Sequence, residues 1–142
     1  MIAKEIKNES ELEIAFDIRI KVFVKEQGVP LEDEIDEHEN SAKHVLVYYN
    51  DTPVGTGRLR VTEGTAKLER ICVLDSYRKY GLGKLIIEEL EQIALKEGLT
   101  KSKLHGQTHA QNFYEKLGYK KASSEFMEDG IPHILMTKNL SE

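Results

Sequence analysis

Apolar and polar positions change period several times along the chain, and the changes mark out its elements. Residues 2–6 alternate about Ile2, Lys4 and Ile6 and predict a short strand. Leu12, Ala15, Ile18 or Arg19, and Val22 then recur at helical spacing, and Ile14, Phe16, Ile20 and Phe23 widen that apolar face. A largely buried helix is expected there, capped by Ser10 with Glu13 completing a capping box, and ended by Gly28 and Pro30. Residues 44–49, 54–61 and 67–74 read as three strands. Asn50-Asp51-Thr52-Pro53 and Glu63-Gly64 supply turns between them, so the short connections predict an antiparallel meander. Gly55 and Gly57 mark an irregularity in the middle strand.

Leu82, Leu85, Ile86, Leu90, Ile93 and Ala94 set out a second amphipathic helix, reaching about residue 97 with Gly98 at its C-terminal cap. A fifth strand follows at 99–106. Ala110, Phe113, Tyr114 and Leu117 form one face of a short helix that Gly118 ends. Two last strands, 120–127 and 131–138, flank an Asp129-Gly130 hairpin signal. The helix after Leu74 is expected to cross between near-parallel strands, where antiparallel pairing gives way to parallel. The predicted fold is α+β: a mixed, mostly antiparallel sheet flanked by helices, with residues 1–142 as a single domain.

Composition narrows this picture. With 39% hydrophobic and 32% charged residues, the chain has no apolar run near the ~20 residues a membrane helix needs, so no membrane association is expected. Its N-terminal residues lack a secretory pattern. The single cysteine, Cys72, excludes an intramolecular disulfide and fits a reducing, cytoplasmic setting. A net charge of −5 argues against general nucleic-acid binding. The histidines and acids lack a recognised ligand spacing, so no metal is expected. Residues 32–39 hold six acids. They read either as a solvated loop or short helix, or as a rim that draws in a cationic amine.

The strongest local signal is Arg78-Lys79-Tyr80-Gly81-Leu82-Gly83-Lys84, between a predicted strand and a predicted helix. A helix start has unpaired N–H groups and partial positive charge, and glycines let an anion approach them. Three cations and no acid lie in the seven residues, which favours a phosphate or pyrophosphate. Read alone, the glycines could also make only a turn. A Walker A loop is excluded by Leu85 after Lys84, and a dinucleotide fingerprint by Ile86 in place of the third glycine.

Arg78-x-x-Gly81-x-Gly83 resembles the [Q/R]-x-x-G-x-[G/A] signature of the GNAT superfamily of acyl-CoA-dependent N-acetyltransferases. Phe113-Tyr114-Glu115-Lys116-Leu117-Gly118-Tyr119 is similar to the family's F-Y-x-x-x-G-[F/Y] motif, and Val22-Phe23-Val24-Lys25-Glu26-Gln27 resembles a segment of its small bacterial ElaA-like subgroup. The resemblance implies an enzyme that moves an acetyl group from acetyl-CoA to a primary amine of a small molecule by direct attack. It implies that Arg78, Lys79, Tyr80, Gly81, Leu82, Gly83 and Lys84 hold the pyrophosphate, that the backbone of Ile71, Cys72 and Val73 meets the acetyl carbonyl and pantetheine arm, and that Tyr114 supports the departing thiolate. Many family members carry Asn seven residues before that tyrosine. Here Gln107 stands there and Asn112 lies two residues before it, so either could make the contact.

An amine of pKa ~10.4 is only about one part in a thousand neutral near pH 7.4, so a proton acceptor is needed. Glu69 is the first candidate, on the strand before the loop and on one face with Ile71 and Val73. At an ordinary pKa of ~4.3 it would need burial or a bridging water. His44, His105 and His109 titrate closer to neutrality but match no motif position. Cys72, with no histidine close in sequence, reads as a small hydrophobe rather than a nucleophile. A non-catalytic acyl-CoA-binding sensor is the second reading, and an amino sugar phosphate or a protein amine the nearer alternative acceptor. A monomer or a homodimer fits either.

Overall fold

The computed structural model describes residues 1–141. Eight strands form one sheet in the order β1-β2-β3-β4-β5-β8-β6, with β7 paired to β8 off that path. They are β1 (Ile2–Glu5), β2 (Lys43–Tyr49), β3 (Thr52–Thr62), β4 (Thr65–Val73), β5 (Lys101–Gln107), β6 (Lys120–Lys121), β7 (Phe126–Glu128) and β8 (Ile131–Asn139). The helices are α1 (Glu9–Arg19), α2 (Leu31–Glu34), α3 (Leu82–Lys96) and α4 (Gln111–Lys116). The pairings are antiparallel except β4 with β5, and α3 makes that parallel crossover. The result is the mixed, mostly antiparallel α+β sheet that the periodicity predicts. No helix among the described residues is long and apolar enough to cross a membrane.

Each sheet face carries a helix. Val45, Val47, Val54, Leu59, Leu68 and Leu104 pack under Leu82, Ile86, Ile87 and Leu90 of α3. That helix lies close because of Gly57, where a Cβ would stand 2.5 Å from Ile86 Cγ2 and 3.0 Å from Leu90 Cδ1. On the other face Ala15, Ile18 and Val22 cover Leu46 and Cys72.

The cap of α1 lies two residues before the expected Ser10. Asn8 Oδ1 accepts from Glu11 N at 2.9 Å, and Glu11 Oε1 reaches back one residue past the cap to accept from Lys7 N at 2.9 Å. After Arg19 the helix widens into π turns over Ile20–Glu26, with Gln27 N bonding Val22 O at 3.0 Å, before Gly28 turns the chain at φ +81°. The single strand expected at 120–127 is split. At Ser123 the hydroxyl replaces a ladder carbonyl, accepting from Leu135 N at 2.9 Å.

The acidic segment is in part the short helix expected, α2, and half of its acids turn inward onto arginines. Arg19, 1% exposed, bonds Glu34 Oε2 at 3.0 Å and Glu39 Oε2 at 2.7 Å. Arg58, also 1% exposed, bonds Asp36 Oδ1 at 2.8 Å, Glu39 Oε2 at 3.1 Å and Glu69 Oε1 at 2.7 Å. Arg70 adds Glu34 and Asp36. The buried arginines take up the charge of Glu34, Asp36 and Glu39, while Glu32, Asp33 and Glu37 stay exposed.

Candidate active site

A cleft opens where β4 and β5 part. They pair from Ala66 with Ser102 to Leu68 with Leu104, yet β4 runs on to Val73 and β5 to Gln107. The cause is a bulge. The β3–β4 register slips between Thr56 with Cys72 and Arg58 with Glu69, and Arg70 takes the left-handed backbone at φ +57°. One extra residue bends β4 away from its parallel neighbour. The backbone of Ile71, Cys72 and Val73 therefore edges a gap of about 450 Å³ and not another strand.

The bulge also reverses faces. Ile71 and Val73 pack into the α3 cluster, while Cys72 joins the α1 cluster. Glu69 thus does not share their face, as simple alternation predicts, but points to the side of Arg58. There it accepts from Arg58 Nε and Nη2 at 3.1 and 2.7 Å and from Arg60 Nε and Nη2 at 2.8 and 3.0 Å, with Lys67 Nζ at 3.0 Å. Burial pushes its carboxyl up, but the Arg60, Arg58 and Lys67 contacts outweigh this and hold it far below the usual range. Glu69 is accordingly a poor proton acceptor, and the expectation that it serves as the base is corrected. Burial pushes the Cys72 thiol well above its usual value, in keeping with a small hydrophobe.

At one end of the gap a 3₁₀ turn, Asp75–Tyr80, leads to Gly81 at φ +74° and the start of α3. A Cβ at Gly81 would meet nothing within 4 Å, so this wall is an open cradle. Gly83 also lines the cleft, and a Cβ there would stand 3.1 Å from Phe113 Cζ. The neighbours do not contribute side chains. Leu82 is core, Tyr80 stacks on Tyr49 with ring centroids 4.3 Å apart, Lys79 Nζ lies 5.6 Å from the Tyr80 ring, and Lys84 lies outside the lining. Arg78 lines the cleft, but its charge is not free. Glu26 of the first helical segment grips it through Nη1 at 2.6 Å and Nη2 at 2.7 Å, and its Nε donates to Val73 O at 2.9 Å.

Tyr114 of α4 lies over Gly106, where a Cβ would come within 2.9 Å of its ring. Burial alone pushes its phenol up to about 12, and its hydroxyl finds no hydrogen-bond partner among the described residues. Gln107 lines the cleft and bridges it, donating to Gln27 Oε1 at 3.0 Å and accepting from His109 Nε2 at 2.7 Å. Asn112 is exposed and lies outside the lining.

One pairing escaped sequence reasoning, which weighs His105 and sets it aside for want of a motif position. His105 of β5 lines the cleft, its Nδ1 2.8 Å from Glu128 Oε1 of β7, with the edge of its ring against Phe126. The two residues are 23 apart in sequence and meet only through β8. No cluster of three or more His, Cys, Asp or Glu suited to a metal occurs among the described residues.

A family model described as an acetyltransferase (GNAT) domain matches residues 4–140. A Bacillus subtilis protein provisionally named an acetyltransferase is 55% identical over 141 residues, covering 97% of this chain and 96% of its own. The crystal structure of an acyl-CoA N-acyltransferase from Pseudomonas aeruginosa aligns with a TM-score of 0.86 at 26% identity, over 97% of this chain and 99% of that one. That of Escherichia coli ElaA aligns with a TM-score of 0.85 at 27% identity, over 98% of this chain and all of that one.

Proposed function

We propose a specific reaction for this chain, which belongs to the GNAT acetyltransferase family and so takes its acetyl group from acetyl-CoA: direct attack by a primary amine of a small molecule on the thioester, within the cleft between β4 and β5. The observation that carries this reading is the cleft itself. It joins a helix start free of Cβ atoms at Gly81 and Gly83 to a half-buried phenol, Tyr114, whose hydroxyl has no partner among the described residues.

In this reading the amides around Gly81 and Gly83, together with Arg78, receive the pyrophosphate. The β4 edge from Ile71 to Val73, without a strand partner beyond Leu68, offers backbone N–H groups to the pantetheine arm and the acetyl carbonyl. Gln107 closes the far wall. Tyr114 faces the thiolate as the C–S bond breaks. A phenol near 12 is a weaker acid than a thiol of pKa ~8.5 by about 5 kcal/mol, so Tyr114 donates a hydrogen bond to the sulfur and keeps its proton. Lys79, Tyr80, Leu82 and Lys84 act through their backbone or not at all.

Two measurements test the reading together. Coenzyme A is expected to raise the melting temperature, since a ligand of the folded state alone stabilises it. Free thiol is expected to appear from acetyl-CoA when a panel of primary amines is supplied. Thermal protection without thiol release from any amine would make the protein an acyl-CoA-binding sensor instead.

A further inference from the structure

We infer that His105, oriented by Glu128, takes the proton from the attacking amine. The inference rests on the transferase reading above and fills the place that Glu69 cannot. Glu69 is engaged by three cations, whereas His105 lines the same cleft with one nitrogen committed and one free. Its Nδ1 donates to Glu128 Oε1 at 2.8 Å, which leaves the Nε2 lone pair as the acceptor. Nε2 makes no hydrogen bond to the described residues. Phe126 stands against the ring at 78° with centroids 5.1 Å apart and fixes its plane.

The other imidazoles are less well placed, and His38 lies outside the cleft with Nε2 3.3 Å from Arg60 Nη1. His44 lies on the α1 face against Phe16, with Nε2 2.9 Å from Glu39 O. His109 and His133 also line the cleft, but their committed nitrogens donate to neutral oxygens, Gln107 Oε1 and Ile131 O at 2.7 Å each, where His105 meets a carboxylate.

Charges from each neighbouring strand bear on the pair. Glu128 and Asp129 come from β7 and its turn, His133 Nε2 lies 3.9 Å from Glu128 Oε2, and Lys67 and Glu69 come from β4. Glu128 stays anionic near neutrality, because the hydrogen bond from His105 holds its carboxyl below the usual range against burial. An anion at Nδ1 favours the imidazolium that forms when Nε2 gains a proton.

The balance of the step is simple. An ammonium acceptor must lose two protons to become an amide. His105 Nε2 takes the first and passes it to solvent. The amine nitrogen then bonds the acetyl carbon, the C–S bond breaks with its electron pair on sulfur, and the second proton ends on the coenzyme thiol. His105 is thus a catalytic residue and Glu128 a positioning one.

The test is the pH dependence of kcat/KM, read as thiol release with the most active of 1,4-diaminobutane, glucosamine and glycinamide. The wild type is expected to show an acid limb. His105→Gln should lose that limb and roughly hundredfold to ten-thousandfold in kcat/KM, while thermal protection by coenzyme A persists. Glu128→Gln should lose about tenfold and displace the limb without abolishing it. His105→Ala should regain activity on addition of imidazole, which a packing role would not allow. If His105→Gln keeps the rate and the limb, or if imidazole fails to rescue a folded His105→Ala, the assignment is overturned. A wild type that binds coenzyme A yet turns over none of the three amines overturns the transferase reading, and the role of His105 falls with it.

Discussion

Two tyrosines five residues apart show how burial alone does not decide a role. Tyr119 is 2% exposed, and its hydroxyl is held at 2.7 Å by Ser102 Oγ and at 2.8 Å by Glu91 Oε2, so its hydrogen-bonding capacity is spent on the core. Tyr114 is only partly buried, and its hydroxyl is unpartnered among the described residues and lines the cleft. A phenol left open to the cleft is free to hydrogen-bond what enters it. Tyr114→Phe is therefore expected to lower kcat by roughly tenfold to a thousandfold with coenzyme A protection unchanged. Tyr119→Phe should instead cost about 1–3 kcal/mol of stability, by leaving the buried Ser102 hydroxyl without its partner, and leave the activity of the folded fraction intact. Thiol-release kinetics and urea melts separate the two. Equal behaviour of the variants would return Tyr114 to the core. The motif around Tyr114 was legible in the sequence by resemblance. The partners of Tyr119 were not, because Ser102 and Glu91 reach it only across β5 and α3.

Among the elements, β4 decides the site. Its length and apolar pattern were legible, as were the helix after Gly83 and the parallel crossover. Its bulge was not. A left-handed arginine at position 70 leaves no mark in the sequence, yet it opens the cleft and turns Glu69 away from Ile71 and Val73. The same limit applies to the loop that follows. Its three cations were visible, but the carboxylate that meets Arg78 comes from Glu26, 52 residues earlier, at the end of the π-helical segment. That pair is about 40% exposed on both sides, so it is weak, on the order of 0.2–1 kcal/mol. An incoming pyrophosphate competes with Glu26 for the guanidinium. Glu26→Gln is expected to tighten coenzyme A binding by up to about fivefold, and Arg78→Gln to weaken it. Calorimetric titration of both variants checks this. Unchanged affinity in both would remove Arg78 from the phosphate site.

Across the whole molecule, the α1 face is tied to the sheet by charge as much as by apolar packing. Glu34, Asp36, Glu39 and Glu69 meet Arg19, Arg58, Arg60, Arg70 and Lys67, and the ties run from the first helix to β3 and β4. Sequence patterning could place these residues on elements, but not pair them, since 20 residues separate Arg19 from Glu39 and 22 separate Arg58 from Asp36. Such a network makes stability depend on pH. Burial opposes ionisation of Asp36, but the hydrogen bonds from Arg58 and from the His38 amide hold its carboxyl down to about 2. Burial likewise opposes, and arginine contacts outweigh it, at Glu39 and Glu69, which also lie below their usual values. Each of the three contributes stability above the unfolded carboxylate range near ~4 and loses it as pH falls through its folded value. Glu34 has the opposite sign, because burial raises its carboxyl, so its protonation on acidification relieves a cost. Three depressed groups outweigh one raised group. The urea midpoint is therefore expected to fall steeply between about pH 4 and 2. Arg58→Leu should cost about 3–5 kcal/mol at neutral pH by removing the cation that Asp36, Glu39 and Glu69 share, and should move the onset of acid unfolding to higher pH. A midpoint for the wild type that is as high at pH 3 as at pH 6 would mean that the network contributes nothing to stability beyond its packing.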